Sequence, residues 1–593
     1  MSAAFTKPPR LDLSVIDDIN DRIFPDIQDF YGKFFANRPW TPMAEEFVQA
    51  LPQSQKRIDS HVPGHFVNWL MGLEASLAER AEPHCSWCEH NSEESHSSDQ
   101  ILVLSDIPKL ETGVNWADVA VLGLFFQGNR WEGILQLCGY AKSVFSSQPS
   151  RAFLHGFLVR GQEAELWLFD RSGIYGSSRL TVTDADDSFL SAITGYMFMD
   201  RDEWGMSPLV HRDGEDEYVS LPCEHDTETP TNTYILGPKI FERVSGHMVG
   251  DGLTVYRARR GGSPDWSYAI KFKWSESSED DELEMLKLLK ERNVWGVIRL
   301  HAYYVGANTE MLHDGLTLGN PITLQADSDG SRFEIDEPAT GSSVHDIQNE
   351  HKSFTCTVVA PEGRSLHKYK SILEILYALR DAAKAHRSLY LDGQILHRDI
   401  NPSNIIIPSY DPTRDAADAS RGILIDFDMS KENSEPYQPN QAVGTYIFQA
   451  IGVLRACLPD NPHTYRHDLE SFFYTFLFLA VAPRPVPKGE NQLQLPATSV
   501  LREWNKGRPF DKANRKIQDM ESVDEFRRRI VAEFTPEFQG LGALAEKLRG
   551  ILFPVDGDGE IWTGTDMTDH GTNALYDAVI GAFEDAALES ARL

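Results

Sequence analysis

Two short segments in the second half of the chain carry side chains suited to phosphate chemistry. Residues 397–404 begin with His-Arg-Asp and end in Asn, and residues 426–428 are Asp-Phe-Asp. Phosphoryl transfer needs a carboxylate near the attacking hydroxyl, and an amide oxygen and a second carboxylate to hold magnesium. Asp399, Asn404 and Asp426 supply these three groups in that order. The spacing therefore predicts a phosphoryl-transfer site.

Both segments resemble the catalytic motifs of protein kinases. The first matches H-R-D-x-x-x-x-N at every fixed position, and the second matches the first two positions of D-F-G. The third position is Asp428, a departure from that motif. The resemblance implies that Asp399 is the base that orients a substrate hydroxyl, and that Asn404 and Asp426 are magnesium ligands and part of the nucleotide site.

A lysine and a glutamate upstream stand where protein kinases hold the nucleotide phosphates. Ala-Ile-Lys at 269–271 lies in a predicted strand and resembles the A-x-K motif, whose lysine pairs the α- and β-phosphates. Glu282 lies in a predicted helix, where the glutamate partner of that lysine belongs. The resemblance therefore implies catalytic roles for Lys271 and Glu282, with Lys273 and Glu284 as the alternatives.

The turn before this strand is a weak match to the glycine-rich loop of kinases. Residues 249–256 contain Gly250, Gly252 and Val255 but only two of the glycines in G-x-G-x-x-G-x-V. Glycine matters there because only a bare backbone brings its N–H groups close to phosphates. The intervening Asp251 would repel phosphate. We predict that Gly250, Gly252 and Val255 cover a nucleotide; an ordinary hairpin turn is the alternative.

Two later segments resemble further kinase elements. Residues 443–448 resemble the end of an activation segment, and residues 466–474 resemble the buried helix whose Asp fixes the catalytic loop. The His-Asp-Leu-Glu-Ser run at 467–471 is similar to that of casein-kinase-like enzymes. Together with the Asp-Phe-Asp element and an extension over 116–173, these motifs resemble the fungal-type protein kinase family over residues 116–482.

Two positions depart from the kinase motifs, and a third is a candidate for a regulatory role. Asn401 stands where Ser/Thr kinases usually have a lysine that steadies the transferring phosphate. Ala-Ile-Gly at 450–452 replaces A-P-E, so the glutamate that anchors the activation segment is absent. Arg398 is the residue that in such folds pairs with a phosphorylated side chain of that segment, and a purely structural arginine is the alternative. The candidates for that phosphorylation are Ser430, Ser434, Tyr437 and Thr445.

The elements that position these motifs follow from the hydrophobic periodicity. Apolar residues at helical spacing, Phe66 and Leu70 among them, predict helices in the first 80 residues. Strand-like runs then surround a helical pattern and predict a small α/β module. The strands of that module are predicted at 119–126, 153–159 and 165–169, and its helix at 131–145.

Farther along, short strands give way to helices. Strands are predicted at 253–257 and 268–272, followed by a helix at 279–291, and the pattern is helical from residue 372. The apolar run 472–482 is about half the length of a membrane-spanning helix and predicts a buried core helix. Two polar insertions, 308–343 and 409–420, are predicted to be surface excursions.

These patterns predict an α+β chain with a helical and α/β N-terminal extension. The resemblance to protein kinases implies that a two-lobed protein-kinase-like fold follows this extension, with a small antiparallel β lobe and a large α-helical lobe. We predict four regions. These are a helical region at 1–115 with a polar linker near 81–100, an α/β extension at 116–235, a kinase-like N-lobe at 236–365, and a C-lobe with C-terminal helices at 366–593.

One cluster near the predicted linker could bind zinc. His84, Cys85, Cys88 and His90 lie within seven residues. A structural zinc site needs four ligands and usually takes a second pair from elsewhere in the chain. An exposed loop is the alternative interpretation of this stretch.

The composition excludes several broad classes of protein. The 593 residues include 56 Lys and Arg against 89 Asp and Glu, so the formal charge of −33 is opposite to that of a domain that coats nucleic acid. Residues 1–11 lack the apolar core of a secretory signal, and 6 cysteines do not indicate an oxidised scaffold. We expect an intracellular protein, cytoplasmic or nuclear, that binds neither membranes nor nucleic acid in bulk.

Three functions are compatible with these residues. The first is an ATP- and Mg²⁺-dependent protein kinase, with Mn²⁺ as a substitute metal, that phosphorylates Ser or Thr of protein substrates. Its acidic charge would favour basic substrates by long-range attraction. The second is a pseudokinase scaffold that binds nucleotide and protein partners. The third is a small-molecule kinase of the aminoglycoside or choline type.

Overall fold

The computed structural model describes two compact units. The described residues are 13–56, 63–79, 85–90, 100–105, 115–182, 187–213, 216–221, 232–242, 248–276, 281–326, 333–336, 351–409, 420–433, 444–455, 462–484, 494–555 and 560–592. The first unit takes its residues from 1–256, 270–278 and 303–356, and the second from 257–269, 279–302 and 357–593.

Helices and strands alternate in the first part of the chain, and helices dominate the last part. The helices are α1 (Leu13–Ile19), α2 (Phe30–Phe34), α3 (Thr41–Ala50), α4 (Gln53–Lys56), α5 (Pro63–Ala78), α6 (Arg130–Ser147), α7 (Ser188–Phe198), α8 (Asp281–Glu291), α9 (Thr309–His313), α10 (Ile372–Leu391), α11 (Ile451–Arg455), α12 (Tyr465–Val481), α13 (Pro509–Met520), α14 (Val523–Arg529), α15 (Gly542–Leu552) and α16 (Asp569–Ser590). Short 3₁₀ helices lie at Trp116–Asp118, Leu366–Lys368, Tyr446–Phe448, Val500–Asn505, Val531–Glu533 and Gln539–Leu541.

The strands are β1 (Ile23–Ile27), β2 (Ser86–His90), β3 (Gln100–Ser105), β4 (Val119–Phe125), β5 (Phe153–Arg160), β6 (Glu163–Asp170), β7 (Ile174–Ser177), β8 (Leu180–Thr181), β9 (Val210–Asp213), β10 (Asp216–Leu221), β11 (Asn232–Glu242), β12 (Thr254–Arg260), β13 (Tyr268–Ser275), β14 (Arg299–Asn308), β15 (Thr323–Ala326), β16 (Phe333–Asp336), β17 (Ser353–Ala360), β18 (Gly363–Ser365), β19 (Ile395–Leu396), β20 (Ile405–Pro408), β21 (Ile423–Leu424) and β22 (Lys431–Glu432).

The first unit is built on a mixed sheet with helices on both faces. The strand order is β1-β7-β6-β5-β4-β3-β2, with β8 beside β6, and the pairs β1–β7 and β4–β5 are parallel. Helices α2, α3, α5 and α7 supply core residues on one face, and α1 and α6 supply them on the other. Because both faces are covered, every residue of β4 is buried and its sequence is a continuous apolar run. The predicted α/β module and the predicted helices before it are confirmed.

Strand β2 corrects the prediction of an exposed loop over 81–100 for residues 86–90, whereas 81–84 and 91–99 lie outside the described residues. Residues 86–90 pair with β3 in this sheet. Cys85 packs in the core on one face, where burial raises the pKa of its thiol to about 12, and Cys88 packs against the other face. The two thiols cannot converge on one metal because they face opposite sides of the sheet. His84 lies outside the described residues, as does the side chain of His90.

The insertion predicted as a surface excursion over 308–343 contributes to the interior of the first unit. The hydroxyls of Thr309 and Ser172 lie 2.7 Å apart, and Nε2 of His313 lies 2.7 Å from Oδ2 of Asp170. All four side chains are buried. The prediction is wrong for Thr309 and His313, because polar residues can lie inside a protein when they form hydrogen bonds. Residues 327–332 and 337–343 of this insertion lie outside the described part of the chain. Of the other insertion, 409–420, residues 410–419 lie outside the described part of the chain.

A second sheet carries Lys271 and Val255, two of the residues predicted to contact nucleotide. Its strand order is β14-β17-β13-β12-β11-β10-β9. The predicted strands 253–257 and 268–272 correspond to β12 and β13, and the predicted helix 279–291 corresponds to α8. These predictions are confirmed, although residues 277–280 lie outside the described part of the chain.

The second unit contains a largely buried helix, α12. All its residues except Phe478 are buried, which confirms the predicted core helix over 472–482. Helix α10 packs along α16, and α12 contacts both of them. Within the described residues, none of the helices combines the length and the apolar character needed to cross a lipid bilayer.

The compact units divide the chain differently from the four predicted regions. Strand β3 pairs with β4, so residues on the two sides of position 115 share one sheet. The first unit also includes residues 270–278, which belong to the predicted kinase-like N-lobe. The fold is α+β, with sheets in the first part of the chain and helices in the last part.

Candidate active site

The loop between β19 and β20 places Asp399 beside Asn404. The amide nitrogen Nδ2 of Asn404 donates to Oδ2 of Asp399 over 3.0 Å and to its carbonyl oxygen over 2.9 Å. Because the nitrogen of this amide faces Asp399, the oxygen is turned away from it. Nδ2 of Asn404 thus orients the carboxylate, and its Oδ1 is an oxygen of the kind that binds metal ions.

Thr445 holds the second oxygen of Asp399, a contact that sequence reasoning missed. Oδ1 accepts hydrogen bonds from the backbone N–H of Thr445 over 2.9 Å and from its hydroxyl over 3.0 Å. The preceding Gly444 has a φ of +98°, and a Cβ there would lie 2.6 Å from the carbonyl oxygen of Arg398. This close approach requires glycine. The carboxylate of Asp399 is therefore fixed at both oxygens.

Asn401, at the position of the expected lysine, has a structural contact. Its Nδ2 donates to the carbonyl oxygen of Asp399 over 3.2 Å, and its Oδ1 accepts from the N–H of Ser403 over 2.8 Å. The side chain thus closes the turn after Asp399. The sequence shows that Asn401 replaces the lysine that is usual in Ser/Thr kinases, and the structure shows that the asparagine binds the backbone of its own loop.

The buried carboxylate of Asp468, on α12, binds the backbone of this loop. It accepts hydrogen bonds from the backbone N–H groups of His397 over 3.0 Å and Arg398 over 3.2 Å. Nε2 of His386 and of His463 lie 2.8 Å and 2.7 Å from its oxygens. Burial alone would raise the pKa of Asp468, but the two histidines outweigh it and hold that pKa well below its usual range. The predicted role of the Asp in 466–474 is consistent with this geometry.

His397 links the catalytic loop to the Asp-Phe-Asp segment. Its Nε2 lies 3.1 Å from the carbonyl oxygen of Ile425, and its ring centroid lies 5.1 Å from that of Phe427. Burial lowers the pKa of His397, although the charge of Asp468 raises it. Both rings are fully buried, so the segments that carry His397 and Phe427 pack together next to the loop of Asp399.

Three carboxylates of the second unit lie close together. One oxygen each of Glu282, Asp426 and Asp428 lies within 4.8 Å of the others, a spacing that could hold a metal ion. The backbone of Asp426 is in the left-handed region, with a φ of +66°. Hard divalent cations favour such clusters of carboxylate oxygens. Sequence reasoning noted Asp428 only as a departure and did not identify it as a ligand.

The alternatives for the predicted lysine and glutamate differ in their environment. Glu282 is buried on α8, whereas Glu284 is exposed and pairs with Lys287 over 2.7 Å. Lys271 lies half-buried on β13 in the first unit.

The candidate phosphorylation sites fall in two groups. The hydroxyl of Thr445 is bonded to Asp399, and that of Ser430 donates to the carbonyl oxygen of His397 over 3.3 Å. Ser434 and Tyr437 lie outside the described residues. Arg398 has a φ of +69°.

The predicted glycine-rich loop is held by buried residues of the first unit. The carboxylate of Asp18 accepts from the backbone N–H of Met248 over 2.6 Å, and the N–H of Gly250 donates to the carbonyl oxygen of Arg171 over 3.0 Å. Gly252 has a φ of +51°, and a Cβ there would lie 2.6 Å from Cζ of Arg171. Val255 follows on β12 and is half-buried. The loop backbone is thus bound tightly, which the sequence alone did not indicate.

Two comparisons with known proteins agree with these motifs. A family model described as fungal protein kinase matches residues 100–480. Over 113 residues the chain is 31% identical to a "Probable serine/threonine-protein kinase gdt4" of Dictyostelium discoideum. That stretch is 18% of this chain and 6% of the relative, so the two proteins share only a short segment.

Replacing Asp468 by Asn should destabilise the protein by about 3–5 kcal/mol at neutral pH, since it removes a buried carboxylate that is bonded to two backbone N–H groups and two imidazoles. The pKa of Asp468 lies below its ordinary value of 3.8, so its contribution is present above that pH and is lost as the pH falls through the lower, folded-state value. Urea unfolding at pH 7 and at acidic pH measures both effects. Asp577→Asn is the control, because Asp577 is an exposed partner of Arg387. Equal stabilities of the two variants would contradict the prediction.

Gly252→Ala should lower the free energy of unfolding by about 1–3 kcal/mol more than Gly262→Ala does. Both glycines have positive φ, but only Gly252 faces Arg171, whereas nothing lies within 4 Å of a Cβ at Gly262. Denaturant unfolding followed by tryptophan fluorescence gives the difference. Equal losses of unfolding free energy in the two variants would disprove the tight packing around Arg171.

Proposed function

The chain belongs to the fungal protein kinase family, and we propose that it is an ATP- and Mg²⁺-dependent kinase that transfers the γ-phosphate to Ser or Thr hydroxyls of proteins. The observation that supports this most is the carboxylate of Asp399, held by Asn404 on one oxygen and by Thr445 on the other. A carboxylate fixed in this way is suited to orient a hydroxyl and accept its proton.

Each predicted site residue has a part in the proposed reaction. Asn404 and Asp426 would hold Mg²⁺, which neutralises charge on the phosphates, and Mn²⁺ could replace it. Lys271 would pair with the phosphates and Glu282 would position that lysine. Asp399 would orient the acceptor hydroxyl and take its proton.

The proposal includes the two-lobed kinase fold. Its small β lobe would supply Lys271, Val255 and the loop at Gly250 and Gly252, and its helical lobe would supply the catalytic loop. Arg398 would pair with a phosphate on the activation segment when one is present. The Thr445 hydroxyl bond to Asp399 and the Ser/Thr kinase name of the relative support Ser or Thr as the acceptor.

The net charge of −33 supports a preference for basic protein substrates. The same charge argues against bulk binding of nucleic acid.

A scaffold function is the second candidate. The loop at Gly250 and Gly252 is bound by Asp18 and Arg171, and it carries Asp251 where phosphate would approach. A loop bound in this way would approach nucleotide poorly. The chain would then bind partners without efficient catalysis.

We expect Asp399→Asn to reduce phosphate transfer by about 10²–10⁴-fold, because the orienting base is lost. Transfer of label from γ-labelled ATP to histone and to casein, with Mg²⁺ or Mn²⁺, measures this. Asp577→Asn, an exposed change of the same type, should transfer at the native rate. Equal labelling by Asp399→Asn would refute the assigned role, and absence of transfer by the folded native chain would favour the scaffold.

Asp428→Asn should raise the Mg²⁺ concentration for half-maximal transfer by about tenfold, since it removes one of three clustered carboxylates. The rate of transfer as a function of Mg²⁺ gives this value. Glu284→Gln, on the exposed face of α8, is the control and should leave it unchanged. An unaltered Mg²⁺ dependence in Asp428→Asn would show that Asp428 does not help to bind the metal.

A further inference from the structure

The segment after Thr445 lacks the glutamate that usually anchors it. Residues 450–452 are Ala-Ile-Gly, and the last position has no room for a side chain. A Cβ at Gly452 would lie 2.3 Å from Nε2 of His467. Any anchor for this segment must therefore come from another part of the chain.

A buried lysine of α13 binds the backbone of the segment. The ammonium of Lys516 donates to the carbonyl oxygens of Ile447 over 2.9 Å and Gln449 over 2.6 Å. It lies 3.8 Å from the ring centroid of Tyr474 and 5.2 Å from that of Trp504. Burying an ammonium is costly unless such partners surround it. Lys516 is fully buried, and that burial lowers its pKa to about 7, while the charge of Glu470 raises it.

A buried glutamate of α12 binds the next turn. Oε1 of Glu470 accepts from the backbone N–H of Ile451 over 2.7 Å and from the hydroxyl of Tyr474 over 2.6 Å. Its Oε2 accepts from Arg466 over 2.9 Å. The guanidinium of Arg466 also donates to the carbonyl oxygen of Leu552, so the carboxylate is held firmly in place.

Together these residues hold the backbone from 447 to 451, directly after the threonine that fixes Asp399. We propose that Lys516 and Glu470 are positioning residues that replace the missing glutamate and keep Thr445 bonded to Asp399. The consequence for phosphate transfer rests on the proposed function, whereas the anchor itself does not.

Hydrogen exchange of the full chain tests the anchor without requiring activity. Lys516→Met keeps the length of the side chain but removes its donors, and the amides of 445–451 should exchange about tenfold faster. Lys516→Arg keeps the charge and donors and should stay closer to the native rate. Lys506→Met is the control, because Lys506 is exposed and pairs with Glu503. Unchanged exchange at 445–451 in folded Lys516→Met would overturn the proposal.

The kinetic arm uses histone or casein, whichever the native chain labels. Lys516→Met should lower kcat/KM for that protein by about tenfold and leave the KM for ATP unchanged, with partial rescue in Lys516→Arg. Faster exchange with unchanged kcat/KM would overturn the positioning role. If the native chain transfers no phosphate, the proposed function fails, and the exchange rates still decide whether the anchor exists.

Glu470→Gln keeps the protein testable if Lys516→Met does not fold. The amide still accepts from Ile451, but it cannot compensate the charges of Arg466 and Lys516. We expect faster exchange at 445–451 in this variant, and native-like exchange would overturn the assigned role of Glu470.

Discussion

The conformation of the loop at 397–404 depends on one buried carboxylate, that of Asp468. It binds the backbone N–H groups of His397 and Arg398, and histidines from α10 and from the turn before α12 complete its shell. An unpaired charge in this position would be expensive, and a fully bonded one is rigid. Because its donors come from separate elements, the loop keeps its shape only when those elements are packed together. The orientation of Asp399 follows from that shape.

Buried cations have a matching role at irregular backbone. Arg151 in the first unit donates to the carbonyl oxygen of Trp204, in the turn after α7, over 2.5 Å, and Lys516 binds two carbonyl oxygens in the second. Segments outside regular strands and helices leave carbonyl groups without partners, and a cation with several donors satisfies them at once. In this strongly acidic chain, buried cations such as Arg151 and Lys516 thus fix the backbone of segments that lack regular secondary structure.

The parts of the site that could be predicted from the sequence are the ones that depend on local spacing. The loop with Asp399 and Asn404 and the buried helix with Asp468 follow from short motifs and apolar periodicity. The bond from Thr445 to Asp399 could not be predicted, because it joins residues 46 positions apart through a glycine conformation. The approach of Asp428 to Glu282 depends on how α8 packs, which no local pattern encodes.

The fold shows the same division. Strands β4 to β6 and helix α6 were evident as continuous or periodic apolar runs, whereas β2 lies in a stretch whose neighbours are polar. Side chains in extended backbone alternate between the two faces of a sheet, so recognition of this strand would have placed Cys85 and Cys88 on opposite faces. The insertion after β14 reads as a surface excursion because it is polar, but its Thr309 and His313 are buried and bond to Ser172 and Asp170.

The attachment of the glycine loop has a consequence for where the chain could be divided. Met248 and Val249 are part of the core formed by α1, α6 and their sheet, and Asp18 and Arg171 bind the backbone around them. The N-terminal extension and the loop at Gly250 and Gly252 therefore share one hydrophobic core. A truncation near residue 240 would remove part of the lining of that core and leave its apolar residues exposed.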